Sequence, residues 1–141
     1  MGLILKIMGT DEINLNEHSI IKAEFMTDTP DDSNARSTDV VNTLRIHGKI
    51  LTAVNGEPVD DTMKIAKWSL VRAEVADSYR EVTLQVIVAD QVVRKVHLPN
   101  AFIVDYTENY ADVEGTGTFD LTIRQKKDLF DRTEITGGYG V

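Results

Sequence analysis

The sequence predicts a mostly β protein, an antiparallel β-barrel or sandwich with one short α-helix. Along most of the chain hydrophobic residues alternate with polar ones, as they do in strands that bury one face. One segment, residues 62–71, breaks the alternation and repeats its apolar residues at helical spacing. With 141 residues, of which 42% are hydrophobic, the chain can bury one core. We therefore predict a single domain over residues 1–141.

Four segments show the clearest alternation. Val82, Leu84, Val86 and Val88 fall on one side of a predicted strand. Residues 19–25, 40–50 and 117–123 alternate in the same way, with Ser19, Ile21, Ala23 and Phe25 on the apolar side of the first. Shorter candidate strands lie at residues 3–7, 92–98 and 101–107. Each of these strands is expected to turn its apolar side inward.

The predicted helix spans residues 61–71. Its apolar residues are Met63, Ala66 and Leu70, with Ile65 and Trp68 widening the stripe. Asp60 and Asp61 precede them and are of a residue type that caps free helix N–H groups and suits the positive end of the helix dipole. We expect Trp68 and Phe102 to pack in the core, with Tyr106 and Tyr110 at its rim.

Two segments are irregular. Residues 27–38 form a polar, proline-containing loop between two predicted strands, although about 2–5 residues suffice for a hairpin. Loops longer than their connection requires are often functional. The tail, residues 128–141, ends in Gly137, Gly138, Tyr139, Gly140 and Val141 and is expected to be loose unless a partner holds it.

Residues that would carry catalysis are missing. The chain has no cysteine, and its three histidines, His18, His47 and His97, are far apart and predicted on polar strand faces. No nucleophile elbow, phosphate-binding loop or zinc motif is present. Asp28, Asp31, Asp32 and Asn34 could chelate calcium, but the EF-hand spacing is missing, so a solvated loop is favoured. We predict no catalytic residue, no metal site, no cofactor and no enzymatic activity.

The charge balance limits the partners. The chain has 23 acidic and 15 basic residues, for a formal net charge of -8. A protein that grips nucleic acid needs a basic patch, and the longest basic run, residues 124–127, is short. No stable nucleic-acid binding is therefore expected.

The N-terminus points to synthesis in the cytoplasm. Residues 1–8 are apolar but lack the basic start and the cleavage site of a signal peptide. No apolar run approaches the roughly 20 residues that span a bilayer. We expect no membrane span, and export, if it occurs, by a route other than a classical signal.

The order of elements in the second half resembles a known family. The helix leads into a strand at residues 80–86, a hairpin strand at 93–98, an Asn-Ala-Phe step at 100–102, and a closing strand at 117–124. This order is similar to that of the tube proteins of contractile injection machines, which include phage tail-tube subunits, R-type bacteriocin tubes and the Hcp protein of type VI secretion.

The resemblance implies a structural role. Six copies would form a ring by continuing the sheet between subunits, and stacked rings would form a hollow tube within a phage tail or an exported injection particle. Its partners would be further copies, sheath proteins and baseplate proteins. The loop would contact the next ring through Asp28, Pro30, Asp31, Asp32, Asn34 and Arg36. The lumen would be lined by Lys22, Glu24, Arg45, His47 and Lys49.

Other assignments stay open. A baseplate or tail-terminator component can have the same fold without stacking indefinitely. A small β-sandwich binding module, for instance for carbohydrate, would need exposed aromatic side chains, and aromatic residues are only 6% of the chain. The resemblance does not extend to residues 128–141, so the role of the tail is also open.

Overall fold

The computed structural model describes residues 2–28, 41–50, 61–72, 74–112, 116–125 and 134–140. Within them the chain is mostly antiparallel β-sheet with one α-helix, which confirms the predicted fold class. The strands are β1 (Gly2–Met8), β2 (Glu12–Leu15), β3 (Ile20–Asp28), β4 (Val41–Ile50), β5 (Arg80–Val88), β6 (Gln91–Ala111), β7 (Thr116–Gln125), β8 (Glu134–Thr136) and β9 (Tyr139–Gly140). The helix α1 spans Thr62–Ser69, and a 3-10 turn spans Ala76–Ser78.

Strand β6 joins two halves of the sheet, one made of β2, β1 and β5 and the other of β7, β4 and β3. The strand order is β2-β1-β5-β6-β7-β4-β3, and β6 pairs with β5 up to Ala101 and with β7 from Ala101 onward. The sequence predicted two strands, over residues 92–98 and 101–107; both segments are confirmed as strand, but they are parts of one strand. Pro99 cannot donate a ladder hydrogen bond and Asn100 adopts a φ of 55°, so the 21-residue strand bends there without ending.

The core lies between the inward faces of the two halves. Leu5, Leu84 and Val96 stand opposite one another on β1, β5 and β6 and are almost fully buried. From the other half, Leu44 and Ile46 of β4 and Phe119, Leu121 and Ile123 of β7 complete the core. The predicted apolar sides of β4, β5 and β7 are thus confirmed, except that Val88, at the hairpin end of β5, is 39% exposed.

The start of β3 departs from the predicted alternation. Ile21 was expected on the buried side but is 50% exposed. The register of β3 on β4 shifts between Ile20 and Lys22, so Ile21 lies in a bulge and Ile20 takes the buried place. Beyond the bulge, Ala23 and Phe25 face the core as predicted.

Helix α1 buries a narrower face than expected. Thr62, Ile65 and Trp68, spaced three residues apart, are buried, whereas Met63 and Leu70 are 62% and 82% exposed. The predicted stripe through Met63 and Leu70 is therefore wrong. The helix has only eight residues and packs along one line of side chains against β2 and β6.

The aromatic residues divide between core and rim. Trp68 is buried as predicted, and Tyr106 packs at the rim on Phe119, with ring centroids 6.2 Å apart. Phe102 is only partly buried, in an edge-on contact with Tyr79, so its core placement is corrected. Tyr110 is 75% exposed.

A buried arginine joins four parts of the chain. Arg80 Nη1 donates to Asp11 Oδ1 at 2.9 Å and Nη2 to Asp77 Oδ2 at 2.6 Å. Its Cζ lies 5.1 Å from the centroid of the Trp68 ring, and the Thr10 amide donates to Asp77 Oδ1 at 3.0 Å. A buried charge is tolerated only when paired, so this cluster fixes the β1–β2 turn, α1 and the 3-10 turn to β5.

Replacement of Trp68 by alanine should destabilise the fold strongly. The side chain is 2% exposed, its Nε1 donates to the Ser78 carbonyl at 3.2 Å, and its ring covers Arg80. We expect Trp68→Ala to lower the free energy of unfolding by about 3–5 kcal/mol. Leu70→Ala, at an 82% exposed site on the same helix, should change it by less than about 0.5 kcal/mol. Urea unfolding measures both, and equal midpoints would contradict the burial of Trp68.

Asp77 should make stability depend on acid. Burial alone would raise the pKa of its carboxyl, but hydrogen bonds from Arg80 and Thr10 outweigh burial and lower the pKa from 3.8 to about 2. Stability from the ionised form is therefore complete above the unfolded value and is lost as pH falls from about 4 to about 2, by about 2 kcal/mol.

Asp77→Asn should be less stable at pH 7 and should lose that part of the acid dependence. Asp112→Asn, which changes an exposed carboxylate, serves as the matched control and should keep the slope of the unmodified protein. Unfolding free energies of both variants, measured between about pH 4 and pH 2 and at pH 7, test whether Asp77 causes this acid dependence. An unchanged slope in Asp77→Asn would mean that another group causes the acid sensitivity.

Candidate assembly surface

The five residues predicted to line a lumen lie on one face of the sheet. Lys22 and Glu24 of β3 stand opposite His47 and Arg45 of β4, and Lys49 follows at the next position of the same parity. Residues that face each other in an antiparallel pair point to the same side of the sheet. The five residues therefore share a surface, which we call the polar face.

Strand β7 extends the polar face with Asp120 and Thr122. His47 Nδ1 lies 2.8 Å from Asp120 Oδ1, and Lys22 Nζ lies 3.3 Å from Glu24 Oε1. These side chains line a shallow groove of about 320 Å³. Charges of both signs alternate here, so the excess of acidic residues is not concentrated on this face. Exposed ion pairs of this kind contribute only about 0–1 kcal/mol to stability, which leaves their charges free for other roles.

The predicted inter-ring loop begins later than expected. Thr27 and Asp28 pair with Asn42 and Val41, so they belong to β3 and not to the loop. The other loop residues assigned to ring contact lie outside the described residues; they are Pro30, Asp31, Asp32, Asn34 and Arg36. Their role stays a prediction.

Strand β3 ends the sheet. In the part of the chain that the structure describes, it pairs along one side with β4 and with no strand on the other. An apolar cavity of about 430 Å³ lies beside it, and the half-exposed Ile21 is part of its lining. The other lining residues are Leu3, Lys22, Ala23, Phe25, Leu84, Val86, Arg94, Val96 and Ile135. An unpaired edge beside accessible apolar surface is a site where another chain can add.

The described part of the tail is held on the sheet. Strand β8 pairs with residues 95–97 of β6, and β9 pairs with residues 91–92. The expectation of a loose tail is therefore wrong for residues 134–140, although all their side chains are exposed. A Cβ on Gly137 would lie 2.3 Å from the Val93 carbonyl oxygen, and Gly138 has a φ of 80° and donates its N–H to the Val92 carbonyl. Two glycines thus allow the tail to approach β6 closely.

The histidines make local contacts. His97 Nδ1 lies 2.8 Å from Thr83 Oγ1 on the neighbouring strand, and His47 contacts Asp120. His18 lies in the turn before β3, not on a strand as predicted. No group of three or more histidine or acidic residues among the described residues could hold a metal ion.

Within the same ranges, no helix has the length and apolar character needed to cross a membrane.

Sequence comparison finds no matching family model and no matching curated protein. Structure comparison does find neighbours. Hcp1 from Flavobacterium johnsoniae is similar over 97% of this chain and 96% of its own, with 14% identity and a TM-score of 0.53. A chain in the structure of the anti-feeding prophage baseplate is similar over 96% of this chain and 92% of its own, with 12% identity and a TM-score of 0.56.

A third neighbour comes from the sheath-tube complex of the PVC extracellular contractile injection system, with 12% identity, a TM-score of 0.56, and coverage of 96% of this chain and 88% of that one. The chain has a tail-tube/Hcp-like fold. The likeness extends over nearly the whole chain, which confirms the resemblance seen in the sequence.

In this tail-tube/Hcp-like fold, the tail should detach from β6 when Gly137 gains a side chain. Gly137→Ala places a methyl group against the Val93 backbone, which cannot move without disturbing β6, whereas Gly140→Ala meets nothing within 4 Å. We expect faster amide exchange in residues 134–140 of Gly137→Ala and unchanged exchange in Gly140→Ala and in β5. Equal protection of the tail in both variants would show that the close approach at Gly137 is dispensable.

Proposed function

We propose that the protein is a structural subunit whose copies close into rings, and that the rings stack as the inner tube of a contractile tail or injection system. The observation that carries the proposal is the edge of β3, which within the described residues pairs with no strand on its outer side and lies beside the apolar cavity. A sheet that ends in this way is incomplete until a further strand is added. The fold of Hcp1 and of the neighbours from tube and baseplate assemblies supports the same role.

Ring closure requires a repeated head-to-tail contact between identical copies. The open edge of β3 offers backbone hydrogen bonds, and Ile21, Ala23 and Phe25 offer apolar area next to them. Both contributions favour a second copy over an unrelated small ligand, because strand addition needs an extended backbone. A ring of six is the expected closure, as in the 6-fold symmetrised baseplate structure that contains one of the neighbours.

The polar face is the surface proposed to line the lumen. Its Lys22, Glu24, Arg45, His47 and Lys49 carry charges of both signs, so it presents no continuous field that would hold a cargo of one charge sign. We propose no enzymatic activity for this subunit. Residues 28–36 are the proposed contact with the next ring, and sheath and baseplate proteins are the proposed outer partners.

A second candidate function is a baseplate or tail-terminator component. One neighbour belongs to a baseplate structure and another to a sheath/tube terminator, with a TM-score of 0.52 for the latter. Such a component would form one ring layer without repeating. The two functions therefore differ in whether the protein stacks with itself.

Negative-stain microscopy and native mass spectrometry of the purified chain test both functions. At micromolar concentration we expect closed rings of six subunits and, at higher concentration, stacked tubes. Deletion of Asp31–Ala35 should leave rings intact and abolish tubes, because the proposed contact with the next ring is lost. Replacing the same residues by glycine and serine keeps the loop length and should have the same effect if side-chain contacts matter.

The outcomes separate the alternatives. A monomer at every concentration would contradict ring assembly. Single rings that never stack would favour the baseplate or terminator role. Tubes that persist after the deletion would assign stacking to surfaces other than residues 31–35.

A further inference from the structure

Strand β2 is the opposite end of the sheet from β3. It has four residues, Glu12–Leu15, and within the described ranges it pairs with β1 alone. Its Ile13 and Leu15 are buried, so β2 is firmly part of the core. Like any sheet edge, it would present free backbone groups to a strand of another molecule.

Two side chains of the helix region occupy this edge. Asp61 Oδ2 accepts a hydrogen bond from the Asn14 amide at 2.8 Å. Lys64 Nζ donates to the Glu12 carbonyl oxygen at 3.0 Å. Asp61 and Lys64 are themselves an ion pair, with Nζ 3.5 Å from Oδ1, so one contact supports the other.

The groups they occupy are those that an added strand would need. Glu12 and Asn14 are two residues apart, so their backbone groups turn to the same side of β2, away from β1. The N–H of Asn14 is already bonded to Asp61, and the C=O of Glu12 is already bonded to Lys64. An incoming strand would have to displace both charged side chains before it could form its own ladder.

Asp61 is in a position where a different contact is usual. It is the residue before the first turn of α1, and an aspartate there ordinarily bonds the free N–H groups of the helix. Asp61 makes no such bond, and its carboxylate is directed to β2 instead. The helix is already anchored by the buried Ile65 and Trp68, so fastening α1 does not require these two contacts.

We propose that Asp61 and Lys64 form an edge guard, which blocks pairing of β2 with the β2 strand of a second copy of this chain. The β2 end of the sheet is thereby guarded, whereas at the other end β3 pairs with no further strand within the described residues. Charged residues that block a strand edge are a known way to prevent unwanted pairing. The consequence for ring assembly, that β2 takes no part in the contact between copies, rests on the proposed function, whereas the block at β2 does not.

A disulfide reporter tests the guard directly. The chain contains no cysteine, so Asn14→Cys places a single thiol on an exposed position of β2 while keeping the backbone N–H. The reporter is placed in the otherwise unmodified chain, in D61A/K64A, in D61N and in R72A/E74A. The last removes an exposed ion pair of similar size that lies beyond α1 and does not bond β2.

After mild oxidation, the yield of disulfide-linked dimers measures β2 meeting β2. We expect D61A/K64A to raise it at least tenfold over the unmodified background and R72A/E74A to leave it unchanged. D61N keeps an amide oxygen that can accept from Asn14, so it should stay near the unmodified yield. An unchanged yield in D61A/K64A, or an equal rise in R72A/E74A, would overturn the proposal.

Circular dichroism of each variant checks folding. If D61A/K64A does not fold, the single variant K64A tests the guard, because it frees the Glu12 carbonyl and keeps Asp61. A raised dimer yield in K64A supports the guard, and an unchanged yield overturns it. Native mass spectrometry of the same samples reports ring assembly separately. A monomeric unmodified protein would contradict the proposed function, while the cross-linking yields would still decide the guard.

Discussion

Backbone hydrogen bonding along β6 is the constraint on which the rest of the fold depends. One strand pairs with β5 in its first half and with β7 in its second, and the tail strands β8 and β9 add to its first half. The bend at Pro99 and Asn100 allows this because it redirects the ladder while keeping the chain extended. Leu98 and Ala101, on either side of Pro99 and Asn100, are both fully buried in the core.

The sheet built around β6 still has two edge strands, β2 and β3, at which a strand of another molecule could add. The Arg80 cluster is fully paired inside the protein, since its charge is buried and held by Asp11 and Asp77. The charges of the polar face are exposed and weakly coupled to stability. The ionic groups that hold the fold therefore differ from those of the polar face, and substitutions on the polar face should leave the chain folded.

Local pattern predicted the fold well where burial alone sets the side-chain direction. The alternation along β4, β5 and β7, the place of α1 and the burial of Trp68 follow from it, and so does the grouping of Lys22 and Arg45 on one face. The prediction from local pattern failed where strand register or a residue distant in sequence determines which way a side chain points. The bulge that exposes Ile21 depends on pairing with β4, and the continuity of β6 depends on partners on both sides. Arg80 was missed because a charged residue at a strand start ordinarily indicates solvent, and only the fold brings Asp11 to it.

The asymmetry between the two ends of the sheet has a thermodynamic meaning under the proposed function, in which copies of the chain associate with one another. If both ends were open, copies could add at either one, and the products would be a mixture of open chains and aggregates. An intramolecular bond competes with an intermolecular one at a high effective concentration, so even the modest contacts of Asp61 and Lys64 disfavour addition at β2. At β3 no strand of the described chain competes, and Ile21 and Phe25 add apolar area that favours association. Blocking strand addition at β2 in this way limits the number of competing assemblies.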